Sequence, residues 1–213
     1  MKNQFQIAVI GGSGKSGIYL VKELLKKDYK VKLLLRNPVQ FPISSPQIEI
    51  ITGNVADYTA VHSLLEGCNA IISTLGLGIP PSAANIFSKS TTHVIKAMNE
   101  LGIDRYILTT GLNVDTPFDL KGPVSLAATN WMKSTYPVST ADKQLEYNLL
   151  VASSIHWTLV RLPIIEQTDE RRTLKVSLTD CPGDKISATD LADFLVEQLL
   201  TEIYIKASPF IAS

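Results

Sequence analysis

Three glycines near the start of the chain have the spacing of a phosphate-binding turn, G-x-x-G-x-x-G. They follow an apolar run and precede residues with helical periodicity, which is the order of a strand, a turn and a helix. In such a turn the first glycine permits a tight bend, the second lets the backbone approach a pyrophosphate, and the third lets the helix pack on the strand. The amide groups and the dipole at the start of the helix favour an anion at the same place. The pyrophosphate contacts that this pattern predicts come from Gly11, Ser13, Gly14, Lys15, Ser16 and Gly17.

Arg36 stands where the second predicted strand ends, and this position decides how a dinucleotide site treats the adenosine ribose. Sites that prefer NAD tend to carry Asp or Glu here to accept a hydrogen bond from the ribose 2′-hydroxyl, whereas arginine accommodates the 2′-phosphate of NADP. No acidic residue occurs from Val31 to Phe41, and a planar guanidinium matches a phosphate group. We therefore expect NADP(H) as the cofactor. The alternative is that Arg36 is only a solvated side chain at the end of a strand.

The ends of three later strands supply further candidate cofactor contacts. They are Asn54 and Val55 after strand three, Thr74, Leu75 and Gly76 after strand four, and Thr109 and Thr110 at the end of strand five. The first pair would flank the adenine, although the same residues also suit a tight turn before a helix. Small residues after strand four would let the ribose or the pyrophosphate approach. The two hydroxyls of strand five would face the nicotinamide ribose, unless they only satisfy backbone groups.

Strand and helix patterns alternate along the chain. The predicted strands span residues 5–10, 30–35, 48–52, 70–74, 106–110 and 157–162, and the predicted helices span residues 16–27, 58–66, 86–101, 141–153 and 191–200. Repeated units of this length favour parallel strands with helices on both faces of the sheet. We expect an α/β fold, a Rossmann-type doubly wound parallel sheet, formed by a single domain over residues 1–213.

Two long loops and the last part of the chain are expected on the substrate side. The loops, residues 75–85 and 112–140, follow strands whose carboxyl ends form the ligand crevice of such sheets. The second loop has a weak helical pattern over 124–132, and a C-terminal elaboration begins at residue 164, with candidate short strands at 173–178 and 203–207. The apolar candidates for lining a substrate slot are Phe118, Trp131, Met132, Leu162, Pro163 and Ile164. Core packing is the alternative for the first three, and Leu162 and Pro163 are also expected to contact the cofactor.

Composition indicates an ordinary globular protein and excludes several partners. The 20 Lys and Arg balance the 20 Asp and Glu, which gives no indication of nucleic-acid binding. No apolar run approaches the length of a membrane span, and the first residues lead straight into a strand, so we expect no signal peptide and no membrane partner. Cys68 and Cys181 are far apart and no histidine has a neighbour at ligand spacing, so we expect no disulfide, no metal and a cytoplasmic location. We expect a monomer or a small homo-oligomer.

Several motifs together resemble those of the atypical short-chain dehydrogenase/reductases, over essentially the whole chain. Besides the glycine turn, they are Leu35-Arg36-Asn37-Pro38, residues 53–57, Thr109-Thr110-Gly111, Asp142-Lys143, residues 156–163 and residues 186–192. Within this family the chain is similar to the NAD(P)H-binding group that includes biliverdin-IXβ reductase, also called flavin reductase. The resemblance implies that Lys143 binds ribose hydroxyls of the cofactor. The alternative is that Lys143 is an exposed lysine of a helix.

The chain departs from this family where the resemblance implies a proton donor. Typical members use Tyr-x-x-x-Lys, but Ser139 stands four residues before Lys143. Gly111 and Ile164 stand at the positions that the resemblance assigns to the serine and the histidine of flavin reductase. Tyr136 and Tyr147 are nearby but off register; either is an alternative donor, although Tyr147 is expected to pack on its helix. A protein-supplied acid is therefore missing at each expected place.

The missing acid decides which chemistry is credible. Carbonyl reduction needs a positioned acid, whereas a flavin, a quinone or a similar planar acceptor delocalises charge and can take its proton from solvent. We expect an NADPH-dependent oxidoreductase that transfers hydride to an aromatic or conjugated small molecule, with Thr110 and Lys143 as the only catalytic candidates. The alternative is a non-catalytic NADP(H)-binding redox sensor or regulatory protein.

Overall fold

The computed structural model describes residues 5–77 and 83–213. The strands are β1 (Gln6–Ile10), β2 (Lys30–Leu35), β3 (Ile48–Thr52), β4 (Ala70–Ser73), β5 (Arg105–Gly111), β6 (His156–Leu162), β7 (Ile164–Glu166), β8 (Lys175–Ser177), β9 (Lys185–Ser187) and β10 (Phe210–Ala212). The helices are α1 (Gly17–Lys26), α2 (Tyr58–Leu65), α3 (Ile86–Leu101), α4 (Pro123–Thr135), α5 (Pro137–Ala152) and α6 (Ala188–Glu197). A short 3₁₀ turn, Pro38–Gln40, follows β2.

Eight strands form one sheet in the order β3-β2-β1-β4-β5-β6-β10-β8, and β7 pairs with β9 separately. Strands β1 to β6 pair in parallel, as β10 does with β6, whereas β8 runs antiparallel to β10. The order of β1 to β6 is that of the doubly wound Rossmann fold, so the predicted fold class is confirmed. The strand order reverses between β1 and β4, and the ligand crevice of such a sheet lies at the carboxyl ends of these strands.

Helices cover both faces of the sheet and create two apolar layers. Helices α1 and α6 form one layer with the sheet, in which Leu20 and Leu195 are fully buried. Helices α2, α3 and α5 form the other, in which Leu64, Val94 and Leu150 are fully buried. Strands that are buried on both faces read as nearly continuous apolar runs, which is why β1 and β4 were recognisable in the sequence. No helix in the described ranges combines the length and the apolar character needed to cross a bilayer.

Several helix ends follow from residues with a known capping role. Asp57 accepts a hydrogen bond from the amide of Thr59 at the start of α2, and Ser187 accepts hydrogen bonds from two amides of α6. Gly102 has a φ of 68° and ends α3 in the left-handed conformation that favours glycine. The predicted bounds of α3 are therefore confirmed.

The end of the chain differs from the prediction. The alternating pattern at residues 203–207 predicts a strand, but these residues form turns, apart from Ala207, which makes a strand-like bridge to Thr158. Lys206 has a φ of 54°, a left-handed conformation that an extended strand does not contain. The closing strand is β10 instead, and its three residues are buried between β6 and β8. The candidate strand at 173–178 is confirmed as the shorter β8.

Of the two predicted loops, the second is largely helical. Helix α4 fills its centre and α5 begins directly after it. Helix α4 reverses the usual pattern of burial, because its buried residues are Ser125 and Thr129 while Val124, Leu126 and Trp131 are exposed. This reversal explains the weak helical periodicity of the segment. Residues 78–82 of the predicted loop at 75–85 lie outside the described residues.

Polar contacts attach α4 to the rest of the domain. The hydroxyl of Thr129 donates a hydrogen bond to the carbonyl of Leu112 at 2.9 Å. The amide of Gly122, at the start of the helix, donates to a carboxylate oxygen of Asp180 at 3.0 Å. The helix therefore joins the end of β5 to the C-terminal elaboration.

A buried arginine of β6 connects the segments beneath the substrate side. The side chain of Arg161 is fully buried, and its guanidinium lies 2.6 Å from a carboxylate oxygen of Asp119. It also donates hydrogen bonds to the carbonyls of Ser208 and Leu178, at 2.9 Å and 3.3 Å. The guanidinium stacks 3.5 Å from the ring centroid of Phe210. One side chain thus joins β6, the segment after β5 and both ends of the C-terminal elaboration.

Candidate functional site

The glycine turn adopts a conformation that depends on its glycines. Gly11 has a φ of 78°, and a Cβ there would lie 2.6 Å from the carbonyl oxygen of Thr74. The amide of Gly14 donates a hydrogen bond to the carbonyl of Gly11 at 2.9 Å, which closes the turn. A Cβ on Gly17 would lie 2.0 Å from that same carbonyl oxygen. Gly17 therefore allows α1 to pack against the turn, and it lies behind the cavity rather than lining it.

A cavity of about 520 Å³ lies over the carboxyl ends of β1, β2, β3 and β4. The residues that line it and that the sequence predicts as cofactor contacts are Gly11, Ser13, Gly14, Lys15, Ser16, Arg36, Asn54, Val55, Thr74, Leu75 and Gly76. Ile10, Leu34, Gly53 and Ile86 complete the lining. Residues that are far apart in sequence thus meet at one end of the sheet, where the strand order reverses.

The cavity offers unpaired groups that suit a phosphate at two places. Among the described residues, the amides of Ser13, Lys15 and Ser16 make no hydrogen bond within the protein. Arg36 also lines this cavity, is exposed, and has no ion-pair partner in residues 5–77 and 83–213. Free amides at the start of a helix suit a pyrophosphate, and a free guanidinium suits a second phosphate group.

The segment after β3 forms both features that its sequence suggests. The side chain of Asn54 accepts a hydrogen bond from the amide of Ala56 at 2.9 Å, which makes the expected tight turn. Val55 is buried, and its carbonyl lies 3.0 Å from Nδ1 of His93. Asn54 and Val55 nevertheless line the cavity. The turn therefore holds these two residues at the wall.

A second cavity of about 840 Å³ adjoins the first, and the two share Ser16, Thr74, Leu75 and Gly76. Its lining includes the remaining predicted contacts, Thr109, Thr110, Lys143, Leu162 and Pro163. The rest of its wall is mainly apolar and includes Gly111, Leu112, Trp131, Met132, Ile164 and Ile165. The two cavities form one cleft that extends from Arg36 to Ile164, just after the end of β6.

Thr110 brings an unsatisfied polar atom to this second cavity. Its side chain is 4% exposed, and its hydroxyl has no hydrogen-bond partner among the described residues. A buried hydroxyl without a partner costs free energy unless a ligand or a water completes it. Among the described residues, the hydroxyl of Thr110 therefore does not serve a backbone group.

Lys143 is half-buried at the wall of the second cavity rather than solvated. Its Nζ lies 3.8 Å from the ring centroid of Phe87. Burial lowers the pKa of Lys143, and attraction to Glu146 and Asp142 opposes that shift. Burial raises the pKa of Glu146, although Lys143 and a 2.8 Å hydrogen bond from the hydroxyl of Thr91 oppose it. The lysine and the two carboxylates lie within about one turn of α5.

Neither off-register tyrosine lines the second cavity, and neither does Ser139. Tyr136 is exposed and makes an edge contact with Trp131. Tyr147 packs edge-on against Trp157 within the core. Among the described residues that line the second cavity, no tyrosine or histidine is present. The described lining residues therefore include no tyrosine or histidine that could replace the tyrosine acid of typical short-chain reductases.

One predicted lining residue is wrong and several were missed. Phe118 lines neither cavity and is 75% exposed, because the next residue, Asp119, points inward to Arg161. The missed lining residues from the C-terminal elaboration are Asp180, Cys181, Pro182, Gly183 and Asp184. Their Pro-Gly content indicates a turn, but only the pairing of β8 with β10 brings that turn to the cleft. In residues 5–77 and 83–213, no three His, Cys, Asp or Glu side chains are grouped closely enough to hold a metal ion.

The fold and the cleft together define a dinucleotide-binding protein of the Rossmann class. The profile of a family described as NAD(P)H-binding matches residues 11–202. The chain therefore belongs to this NAD(P)H-binding family. The expected closer likeness to biliverdin-IXβ reductase within it stays a prediction.

Curated relatives match about half of the chain. The human sterol-4-alpha-carboxylate 3-dehydrogenase, decarboxylating, is 30% identical over 112 residues, which cover 50% of this chain and 29% of that protein. A uronate dehydrogenase of Pseudomonas putida is 33% identical over 100 residues, which cover 46% of this chain and 36% of that protein. The chain thus spans about a third of the length of these relatives.

Solved structures share the fold over nearly the whole chain. A short-chain dehydrogenase/reductase of Veillonella parvula, in complex with NADP, has a TM-score of 0.81 at 15% identity and covers 98% of this chain and 94% of its own. An oxidoreductase of Lactococcus lactis has a TM-score of 0.79 at 17% identity and covers 98% of this chain and 91% of its own. These likenesses agree with the doubly wound sheet.

Proposed function

We propose that this protein is an NADPH-dependent oxidoreductase that transfers hydride to a planar, electron-accepting small molecule such as a flavin or a quinone. The observation that carries the proposal is the continuous cleft. It has free phosphate-binding groups at one end and an apolar slot beside Thr110 and Lys143 at the other. The curated relatives are dehydrogenases by name, which agrees with redox chemistry.

The first cavity suits the adenosine half of NADPH. The free amides of the glycine turn would hold the pyrophosphate, and Arg36 would hold the 2′-phosphate. Asn54 and Val55 would flank the adenine. Leu75 and Gly76, which belong to both cavities, would let the dinucleotide pass from one to the other.

The second cavity suits the nicotinamide half together with an acceptor. NADPH supplies a hydride when it is bound, and the acceptor takes up that hydride and one proton. Thr110 would hydrogen-bond to the nicotinamide ribose or the carboxamide, and Lys143 would hold the ribose hydroxyls. The apolar wall formed by Trp131, Met132 and Ile164 suits the face of an aromatic ring. An acceptor that delocalises charge does not require the tyrosine that this chain lacks.

Turnover with NADPH tests the proposal directly. Purified protein is mixed with NADPH and with FMN, riboflavin or a naphthoquinone, and the absorbance at the nicotinamide band is followed. We expect NADPH oxidation with at least one of these acceptors. Tight NADPH binding with no turnover by any flavin or quinone would overturn the proposal. It would favour the alternative of a redox sensor, which should bind NADPH and NADP⁺ with very different affinities.

Lys143 should give the reaction an alkaline limit. Its ammonium is present below its pKa and is lost as the pH rises through that value, which burial places below the ordinary value for lysine. We expect Lys143→Met to lower kcat/KM by about 10–100-fold near neutral pH, as for the loss of a charge-assisted hydrogen bond. The fall in rate at high pH should also disappear in this variant. The measurement is the pH profile of kcat/KM from neutral to alkaline pH.

Lys89→Met is the matched control for this experiment. Lys89 is exposed on α3 and lines neither cavity. It should keep both the rate and the pH profile of the unmodified protein. A Lys143→Met protein with the original alkaline limit would show that another group controls the reaction.

The two thiols agree with a reducing compartment, and we propose a cytoplasmic location. Both cysteines are free. Burial raises the pKa of Cys68 to about 12, so this thiol is unreactive. Cys181 is half-buried at the second cavity, and burial also raises its pKa.

The assembly state that we expect is a monomer or a small homo-oligomer, which sedimentation would measure.

A further inference from the structure

We propose that the acceptor carries no phosphate or carboxylate on the part that enters the second cavity. This inference rests on the proposed function and narrows its substrate class to uncharged or cationic planar molecules. It follows from the charges at the cavity wall. Among the described lining residues, the charged side chains are one cation, Lys143, and two carboxylates, Asp180 and Asp184. Residues 78–82 have the sequence Gly-Ile-Pro-Pro-Ser and add no charged side chain.

Asp180 is a fixed negative charge in this wall. Its two carboxylate oxygens accept hydrogen bonds from the amides of Gly122 and Cys181, at 3.0 Å and 2.8 Å. Hydrogen bonds from Ser125 and these two amides, with attraction to Lys121, hold its pKa below the ordinary value despite the opposing effect of burial. Lys121 is itself paired with Asp115 and Asp119. The carboxylate therefore stays ionised near neutral pH and cannot turn away from an incoming anion.

Asp184 adds a second negative charge at the exposed rim. Its carboxylate has no ion-pair partner among the described residues. The adjacent ammonium of Lys185 lies 2.9 Å from a carboxylate oxygen of Glu166. The guanidinium of Arg172 lies 2.7 Å from the other oxygen of Glu166 and also pairs with Glu170. These two cations are therefore already paired with carboxylates, and Lys185 gives Asp184 only a secondary attraction.

The single cation of the cavity does not reverse this balance. Lys143 lies against the ring of Phe87, at the β5 side of the cleft. Two carboxylates of its own helix, Asp142 and Glu146, attract it. In the proposed function it is also occupied by the ribose. An anionic acceptor would thus meet two carboxylates at the outer wall without a free cation to pair with it, which is unfavourable for a desolvated anion.

Two pairs of acceptors that share a reacting ring but differ in charge test this inference. Riboflavin and FMN differ by a phosphate, and 1,4-naphthoquinone and its 6-sulfonate differ by a sulfonate on the ring that is not reduced. Flavin fluorescence gives the Kd of each flavin with NADP⁺ bound, and NADPH oxidation gives kcat/KM for all four. We expect the neutral member of each pair to be favoured about tenfold, as for roughly 1–2 kcal/mol of repulsion near a protein surface. Added salt should reduce the difference.

Asp184→Lys should abolish this preference. We expect FMN to gain about tenfold over riboflavin in both Kd and kcat/KM. Asp169→Lys is the matched control, because Asp169 is exposed and lines neither cavity, and the charge change is the same. It should leave the ratio unchanged.

The possible failures are distinguishable. A preference for FMN and the sulfonate in the unmodified protein would overturn the inference and leave the proposed function intact. An equal effect of the two lysine variants would do the same, because it would reflect net charge alone. No turnover with any of the four acceptors would overturn the proposed function and this inference with it.

Discussion

Replacing Arg36 with glutamate should weaken NADPH binding about 100-fold and change NADH binding by less than about threefold, since a charge-assisted hydrogen-bond pair contributes about 1.5–3 kcal/mol. Arg36 lines the first cavity and has no ion-pair partner among the described residues, so its guanidinium is available for the 2′-phosphate. Glutamate would repel that phosphate and could accept a hydrogen bond from the 2′-hydroxyl of NADH. Titration of both cofactors by nicotinamide fluorescence measures the two affinities.

Lys30→Glu provides the same change of charge at the opposite end of β2. Lys30 is exposed at the first residue of that strand, whereas Arg36 follows its last residue. The control should leave the affinities for both cofactors nearly unchanged. If Arg36→Glu weakens NADPH and NADH alike, the assignment of the cofactor as NADP(H) is wrong.

Replacing Arg161 with methionine should lower the free energy of unfolding by about 3 kcal/mol, the lower end for a broken buried ion pair, because Asp119 keeps a weaker pair with Lys121 at 3.5 Å and a hydrogen bond from Thr116. Asp119 would lose its 2.6 Å partner, and the carbonyls of Ser208 and Leu178 would lose their donors. Urea denaturation with a constant m-value would measure this change. Combining Arg161→Met with Asp119→Leu should recover part of the loss, because the carboxylate that lost its closest partner is removed as well, while Lys121 keeps its pair with Asp115.

Arg105→Met is the matched comparison, because it removes a buried arginine that has no carboxylate partner. Arg105 is also largely enclosed, but it donates to the carbonyls of Gln198 and His156 and to the hydroxyl of Thr158 rather than to a carboxylate. Its loss should cost about 1–2 kcal/mol, the range for neutral hydrogen-bond partners. If the Arg161 and Arg105 variants were equally stable, the Arg161–Asp119 pair would not hold the substrate side together.

The nucleotide end of the cleft was predictable because its residues follow local rules. A glycine turn after β1 and residues at the ends of β2, β3 and β4 must meet at one edge of a parallel sheet. The backbone angle of Gly11 and the packing of Gly17 agree with the roles that their spacing assigns. Arg36 could be placed at this edge because it directly follows the last residue of β2 in the sequence.

The substrate end was less predictable because it depends on contacts between distant segments. Asp180 and Asp184 reach the second cavity only through the pairing of β8 with β10. The pattern at 203–207 alternates like a strand, but the strand that pairs with β6 is Phe210–Ala212. Phe118 was wrongly predicted to line the cavity. It is turned outward because the neighbouring Asp119 pairs with Arg161, and a sequence does not show that ion pair.

Helix α4 has a consequence for how the cleft can respond to a ligand. It is attached through Ser125 and Thr129, and its apolar side chains already face solvent or the second cavity. Detachment of this helix would therefore expose little additional apolar surface, and the hydrophobic effect resists such local opening only weakly. We therefore expect this wall of the second cavity to open as a separate unit while both apolar layers of the sheet stay closed. Its amide hydrogens should exchange sooner than those of α3.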